Sequence, residues 1–129
     1  MNRSILIWGA LLGVIAIILG AFAAHGLKPL LSMKKILTFE TGVKYQMYHA
    51  LFLLFLGSLP VASEKVKRIC FYLTLFGVLF FSGSIYLLAT NSLTSFDFRL
   101  IGPITPIGGV LMISAWIVLL ISCFKLKKK

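Results

Sequence analysis

The first long apolar stretch of the chain, residues 5–24, reads ILIWGALLGVIAIILGAFAA. It carries no charged residue, and at 1.5 Å per residue a helix of this length spans about 30 Å, the thickness of the hydrocarbon core of a bilayer. The basic start before it and the Ala-Phe-Ala sequence at residues 21–23 are also features of a secretory signal peptide. The stretch is longer than the usual apolar core of a signal peptide, so we expect it to be retained as the first transmembrane helix.

The rest of the chain is similarly apolar. Of its 129 residues, 60% are hydrophobic and 12% are charged, and the mean hydropathy is +1.03. A soluble domain carries about 25% charged residues, and a small one has too much surface to hide so many apolar side chains from water. With only 2 cysteines, a disulfide-stapled secreted scaffold is also excluded.

Three further apolar stretches follow, at residues 43–59, 69–90 and 106–124. Because a helix satisfies its own backbone hydrogen bonds in lipid, each stretch is expected to cross the membrane as a helix. The sequence therefore predicts one all-α transmembrane domain, residues 1–129, built as an integral membrane four-helix bundle. Between residues 29 and 40, apolar and polar residues alternate at roughly helical spacing, which predicts a short amphipathic interfacial helix between helices 1 and 2.

The distribution of Lys and Arg predicts the orientation of these helices. With the N-terminus in the cytoplasm, that side of the membrane carries 8 of the 13 basic residues. Basic residues favour the cytoplasmic side, so we expect a multi-pass protein of the cell membrane with both termini in the cytoplasm. The Lys-rich C-terminus, residues 125–129, is expected to contact anionic lipid headgroups. The net charge of +10 therefore does not indicate nucleic-acid binding.

Small residues in three of the helices predict close helix packing. In helix 1 they recur every three or four positions and form one stripe, against which a neighbouring helix of the same or another chain is expected to lie. A homo-oligomer or a membrane protein partner is compatible with this pattern. The predicted helix-packing residues are Gly9, Gly13, Ala16, Gly20, Gly83 and Gly108.

Polar and ionisable residues are scarce and fall on one side of the membrane in this topology. They are costly at membrane depth unless they are paired, so each is a candidate for function. In one interpretation Gln46 and His49 point into an outward-facing pocket. In the other, the histidines bond to backbone or tyrosine, and Glu40 pairs with Lys44 one helical turn away. The candidate polar cluster consists of His25, Glu40, Lys44, Gln46, His49, Asp97 and Arg99.

No catalytic, metal-binding or cofactor-binding site is predicted. The zinc spacings H-x-x-E-H, H-E-x-x-H and C-x-x-C are not in the sequence, and neither is a G-x-S-x-G motif or a phosphate-binding loop. We expect a non-enzymatic membrane protein that supports membrane integrity or a partner complex through helix packing. The alternative is a small oligomeric transporter or channel with an outward-facing polar pocket. A membrane enzyme would need a nucleophile and a base, and these cannot be assembled convincingly.

Four motifs span nearly the whole chain: GAFAAHGL at residues 20–27, ETGVKYQMYHAL at 40–51, FSGSIY at 81–86 and GPITPIGG at 102–109. Together they resemble the small YgdD-like membrane proteins, also called the transmembrane protein 256 family or domain of unknown function 423. Ala23 departs from the family pattern, which has glycine there. The resemblance implies a four-span protein of the plasma membrane whose activity is uncharacterised, and it supplies no catalytic residues.

Overall fold

The computed structural model describes residues 2–94 and 101–126. Within these ranges the chain forms four α-helices and no β-strand, which confirms the all-α prediction. The α-helices are α1 (Asn2–Phe22), α2 (Met33–Ser58), α3 (Glu64–Ala89) and α4 (Ile104–Phe124). A π-helical turn, Ala23–Leu27, extends α1, and a short 3-10 helix, Asn91–Leu93, follows α3.

Two serines define where α2 and α3 begin. Ser32 and Ser63 have extended backbones, and each Oγ accepts a hydrogen bond from the backbone N–H three residues further on, at 3.3 and 3.2 Å. Such a cap satisfies one of the N–H groups that have no partner inside the helix, and it stabilises the helix by about 1 kcal/mol.

The separate interfacial helix between helices 1 and 2 is not confirmed. The amphipathic residues after Ser32 and the second apolar stretch belong to one continuous helix of 26 residues. No proline lies between Met33 and Ser58 to interrupt it, so the helix that begins at the Ser32 cap continues into the apolar stretch.

Consecutive helices run antiparallel. A methyl group placed on Gly57, near the end of α2, would lie 2.9 Å from the Leu6 side chain near the start of α1. At the other end of this pair, a methyl group on Gly20 would lie 3.5 Å from Val43. The α3–α4 pair is also antiparallel. The Cys70 thiol, near the start of α3, donates to the carbonyl of Ala115 in the second half of α4 at 3.5 Å, and Ser84, near the end of α3, contacts Thr105 at the start of α4. The helices pack in chain order, α1 on α2, α2 on α3 and α3 on α4.

Two buried apolar clusters lie at opposite ends of this bundle. The first lies at the terminal end, where α1 begins and α4 ends, and the second lies at the opposite end. The terminal-end cluster contains Ile5, Phe52, Leu53, Leu56, Cys70, Phe71, Ala115 and Leu119. The second contains Ala23, Leu27, Leu31, Ile36, Phe39 and Ala89.

The outer surface is apolar as well. Ile17 and Val110 are 66% and 62% exposed, as expected where lipid is the solvent. In the described part of the chain, three helical segments are long and apolar enough to cross a membrane: Asn2–Leu27, Glu64–Ala89 and Ile104–Phe124. The remaining helix, α2, is not among these segments. Its first half carries charged residues and its middle carries polar ones, which are Lys34, Lys35, Glu40, Lys44, Gln46 and His49.

Candidate functional site

Gln46 lies on α2 and connects it to α1 and α3. The side chain is only 3% exposed. Its Nε2 donates to the carbonyl of Leu12 on α1 at 2.9 Å, and its Oε1 accepts from the Tyr86 hydroxyl on α3 at 2.6 Å. Because the Leu12 carbonyl can only accept, the amide nitrogen must face α1 and the amide oxygen must face α3. Both ends of the amide are therefore used inside the bundle.

His49, one turn further along α2, connects α2 to α4. It is 4% exposed, its Nδ1 lies 2.7 Å from the carbonyl of Tyr45, and its Nε2 lies 3.1 Å from Nε1 of Trp116. A carbonyl can only accept and an indole N–H can only donate, so the geometry requires a neutral ring with its proton on Nδ1. A second proton, on Nε2, would face the indole N–H and break the bond to α4.

Aromatic contacts surround this bond. The ring centroid of Trp116 lies 4.5 Å from that of Phe52 and 6.1 Å from that of His49, in an edge-on arrangement with the histidine. The indole is about half exposed, so its outer face lies on the surface of the bundle while its N–H points inward to His49. This division suits an amphipathic ring at a membrane protein surface.

The neighbouring helix crossing between α2 and α3 is very close. The Ser82 hydroxyl donates to the carbonyl of Gly42 at 2.7 Å. A methyl group placed on Gly42 would lie 2.7 Å from Cε1 of Tyr86, which is too close for any larger residue unless the ring moves. Gly42 therefore lets Tyr86 approach α2 and reach Gln46.

A second close crossing joins α3 and α4. A methyl group on Gly108 would lie 2.7 Å from the carbonyl oxygen of Gly77, and one on Gly77 would lie 2.6 Å from the Met112 side chain. Near this crossing the hydroxyls of Ser84 and Thr105 lie 2.5 Å apart. The backbones thus meet with almost no side chain between them, as small residues allow in membranes.

Four of the predicted helix-packing residues are on α1, and each is buried or lies close to α2. Ala16 is fully buried, and a methyl group on Gly9 would lie 3.1 Å from the carbonyl oxygen of Ala50. The corresponding distances for Gly13 and Gly20 are 3.8 Å to Ala50 and 3.5 Å to Val43.

The two predicted packing residues outside α1 differ from each other. Gly108 lies at the α3–α4 crossing. Gly83 does not lie at a crossing, since the nearest atom to an added methyl group is Leu79 of its own helix, at 3.9 Å.

The predicted polar cluster is not gathered into one pocket by the described residues. Gln46 and His49 are buried, whereas His25, Glu40 and Lys44 are exposed. The hydrogen bonds of the two buried residues go to backbone carbonyls and aromatic side chains. In residues 2–94 and 101–126, no group of three or more His, Cys, Asp and Glu side chains is arranged to hold a metal ion. Asp97 and Arg99 lie outside the described residues.

Several residues of the site carry no clear signal in the sequence. Tyr86 and Trp116 are ordinary aromatic residues of apolar helices until the fold brings them to Gln46 and His49. Gly77 has no glycine, alanine or serine three or four positions away on α3 that would mark it as a packing position. Gly42 shares a helix face with Gln46 and His49, so spacing alone could have indicated it.

Comparison with known proteins gives a consistent set of relatives. The family model "Protein of unknown function (DUF423)" matches residues 19–109. A UPF0382 membrane protein of Staphylococcus saprophyticus is 44% identical over 121 residues, covering 94% of this chain and 97% of the relative. A UPF0382 membrane protein of Haemophilus influenzae is 39% identical over 127 residues, covering 98% of each. The UPF0382 inner membrane protein YgdD of Escherichia coli is 35% identical over 132 residues, covering 99% of this chain and 95% of the relative. No solved structure matches the chain.

Proposed function

This chain belongs to the DUF423 family, and on that premise we propose that it is a non-enzymatic, four-span membrane protein whose buried polar side chains hold the bundle together. One observation carries the proposal. The polar ends of Gln46 and His49, the two buried members of the polar cluster, are paired with groups of the same bundle. A transport pathway would instead leave such groups available to a passing solute.

The antiparallel packing of α1 and α2 supports four crossings. Leu6 lies against Gly57 and Gly20 lies against Val43, so residues 43–57 of α2 run beside residues 6–20 of α1. A helix that lies along a membrane-spanning helix over about 21 Å shares its depth in the bilayer. We therefore assign spans to residues 5–24, 43–59, 69–90 and 106–124. An even number of spans leaves both termini on one side, and the excess of basic residues assigns that side to the cytoplasm.

At this depth the hydrogen bonds have a structural consequence. Polar side chains in lipid are costly unless paired, and each interhelical bond in a membrane protein contributes about 0.6 kcal/mol. The bonds of Gln46 tie α1, α2 and α3 together, and the bond from Trp116 to His49 ties α4 to α2. The protein is then a rigid bundle that supports membrane integrity or holds a membrane protein partner by lateral helix packing.

The proposal is tested by separating stability from function. In Gln46→Ala and His49→Ala, we expect the heat stability of the purified protein in detergent to fall, because the partners of each side chain lose their bonds. If both variants insert and remain as heat-stable as the parent but lose the phenotype of the wild-type protein in cells, the structural role is wrong. Crosslinking in native membranes then asks whether the protein captures a partner.

Topology is tested independently by accessibility labelling. Single cysteines introduced at Lys34 and Lys125, in a background without Cys70 and Cys123, are expected to react from opposite sides of the membrane. Labelling of both from the same side would contradict the four-span arrangement.

A second candidate function is a small transporter or channel. A cavity of about 330 Å³ lies between α2, α3 and α4, and its wall includes His49 beside otherwise apolar and aromatic side chains such as Tyr45, Phe81 and Met112. If this cavity conducts a solute, protein in liposomes changes the flux of that solute, and the His49→Ala variant alters the flux. A flat trace between pH 5 and 8 would count against a histidine-dependent pathway.

A further inference from the structure

A groove of about 360 Å³ runs along α3 where it meets α4, toward the terminal end of the bundle. Five of its lining residues come from α3 at spacings of one helical face, and the sixth comes from α4. They are Arg68, Ile69, Tyr72, Leu73, Phe76 and Leu111. Tyr72 and Phe76 are about half exposed, so the groove opens outward from the bundle.

We propose that this groove binds one anionic phospholipid of the cytoplasmic leaflet, with its phosphate on Arg68 and an acyl chain along Tyr72 and Phe76. The inference rests on the proposed orientation, because that orientation puts the start of α3 at the cytoplasmic surface.

The length of the groove matches one leaflet. From Arg68 to Phe76 the helix advances eight residues, or about 12 Å at 1.5 Å per residue. Half of a hydrocarbon core of roughly 30 Å is about 15 Å. With Arg68 at the headgroup level, Phe76 lies near the middle of the bilayer, so the groove accommodates the length of one acyl chain.

The charge of the groove is confined to its mouth. Arg68 is the only charged side chain among the residues that line the groove, and the others are apolar or aromatic. In the described part of the chain, the Arg68 guanidinium makes no hydrogen bond or ion pair, including none with Glu64 one turn before it. A guanidinium binds phosphate oxygens in a bidentate manner.

A second copy of the chain is a poorer occupant than a lipid. Two copies inserted in the same orientation and packed through this groove would bring their Arg68 residues to the same depth. Like charges so placed repel one another, whereas an anionic headgroup neutralises the guanidinium. A phospholipid therefore complements both the apolar length of the groove and its positive mouth.

The test uses the full chain purified in a neutral detergent, with bound lipid counted by native mass spectrometry. Phosphatidylglycerol and phosphatidylcholine serve as the anionic and zwitterionic probes, and Arg68→Gln is compared with Lys65→Gln, which removes the same charge next to the groove without lining it. We expect the wild type to prefer phosphatidylglycerol. Arg68→Gln should lower its affinity about fivefold or more, since it removes the direct guanidinium–phosphate contact, worth about 1 kcal/mol. Lys65→Gln should change the affinity less than twofold, because Lys65 does not line the groove.

A phosphatidylglycerol carrying a photoreactive acyl chain then locates the lipid. Crosslinks concentrated on Tyr72, Phe76 and Leu111 support the site. Equal losses of affinity in the two variants, crosslinks spread evenly around the bundle, or a crosslinked pair of chains in place of lipid would each overturn it. Failure of this site is distinguishable from failure of the proposed orientation, because Arg68→Gln is expected to keep the topology and lipid-free heat stability of the wild type.

Discussion

The hydrogen bond between Tyr86 and Gln46 gives the sharpest prediction, tested by a double-mutant cycle. Gln46→Leu keeps a side chain of similar size but removes both bonds, to the Leu12 carbonyl and from the Tyr86 hydroxyl. Interhelical bonds of this kind contribute about 0.6 kcal/mol on average and up to about 1.7 kcal/mol. We therefore expect Gln46→Leu to lower the free energy of unfolding by about 1–3 kcal/mol, and Tyr86→Phe, which removes one bond, by about 0.6–1.7 kcal/mol.

The double variant separates the bond from the rest of each side chain. Once Tyr86 has lost its hydroxyl, replacing Gln46 leaves no unpaired donor on α3. The double variant Gln46→Leu, Tyr86→Phe should therefore lower the free energy of unfolding by less than the sum of the two single changes. The difference, about 0.6–1.7 kcal/mol, is the energy of the bond itself.

The assay is reversible unfolding of the purified protein in mixed detergent micelles, followed by circular dichroism. Tyr72→Phe is the matched control, because Tyr72 is on the same helix, is about half exposed and makes no hydrogen bond in the described residues. Its stability should equal that of the wild type. Additive effects within about 0.3 kcal/mol would refute the reasoning, since they would mean that Gln46 and Tyr86 act independently.

Two further predictions concern packing and burial. Gly108→Ala should destabilise the bundle by about 1–3 kcal/mol, because its methyl group meets the Gly77 backbone. Gly83→Ala is the control and should not destabilise the bundle, because its methyl group meets no other helix. Equal thermal stability of the two variants would contradict the close α3–α4 crossing. Lys67 is 3% exposed and donates to Oδ1 of Asn2 at 3.0 Å. Asn2→Ala should lower the melting temperature because it leaves the buried ammonium unpaired, and adding Lys67→Met should restore the melting temperature. If Asn2→Ala leaves the melting temperature unchanged, the bond contributes nothing to stability.

Much of the fold follows from the sequence because the signals are local. A long uncharged stretch such as residues 5–24 forms a helix in lipid whatever it packs against, so the type of each element is readable along the chain. The start of α2 is harder to predict. Its charged first turns look like a separate surface helix, and only the absence of a break before Gly42 indicates one continuous element.

The site was predictable in residue type but not in partners. Gln46 and His49 stand out because polar residues are rare in apolar helices, and their positions three residues apart place them on neighbouring parts of one face. That Gln46 would meet Leu12 and Tyr86 depends on the rotation of three helices about their axes. Gly83 and Gly108 look equivalent in sequence, yet only Gly108 faces another backbone.

The amino-acid sequence by itself determined that this is an apolar membrane protein, that it is helical, and which few residues of its helices are polar. Those properties depend on the length and composition of each segment against the thickness of a bilayer. Only the tertiary structure decided that each end of the Gln46 amide and each ring nitrogen of His49 has a hydrogen-bond partner within the bundle. Pairing across helices is a property of their mutual register and rotation, and these emerge only when all four helices pack at once.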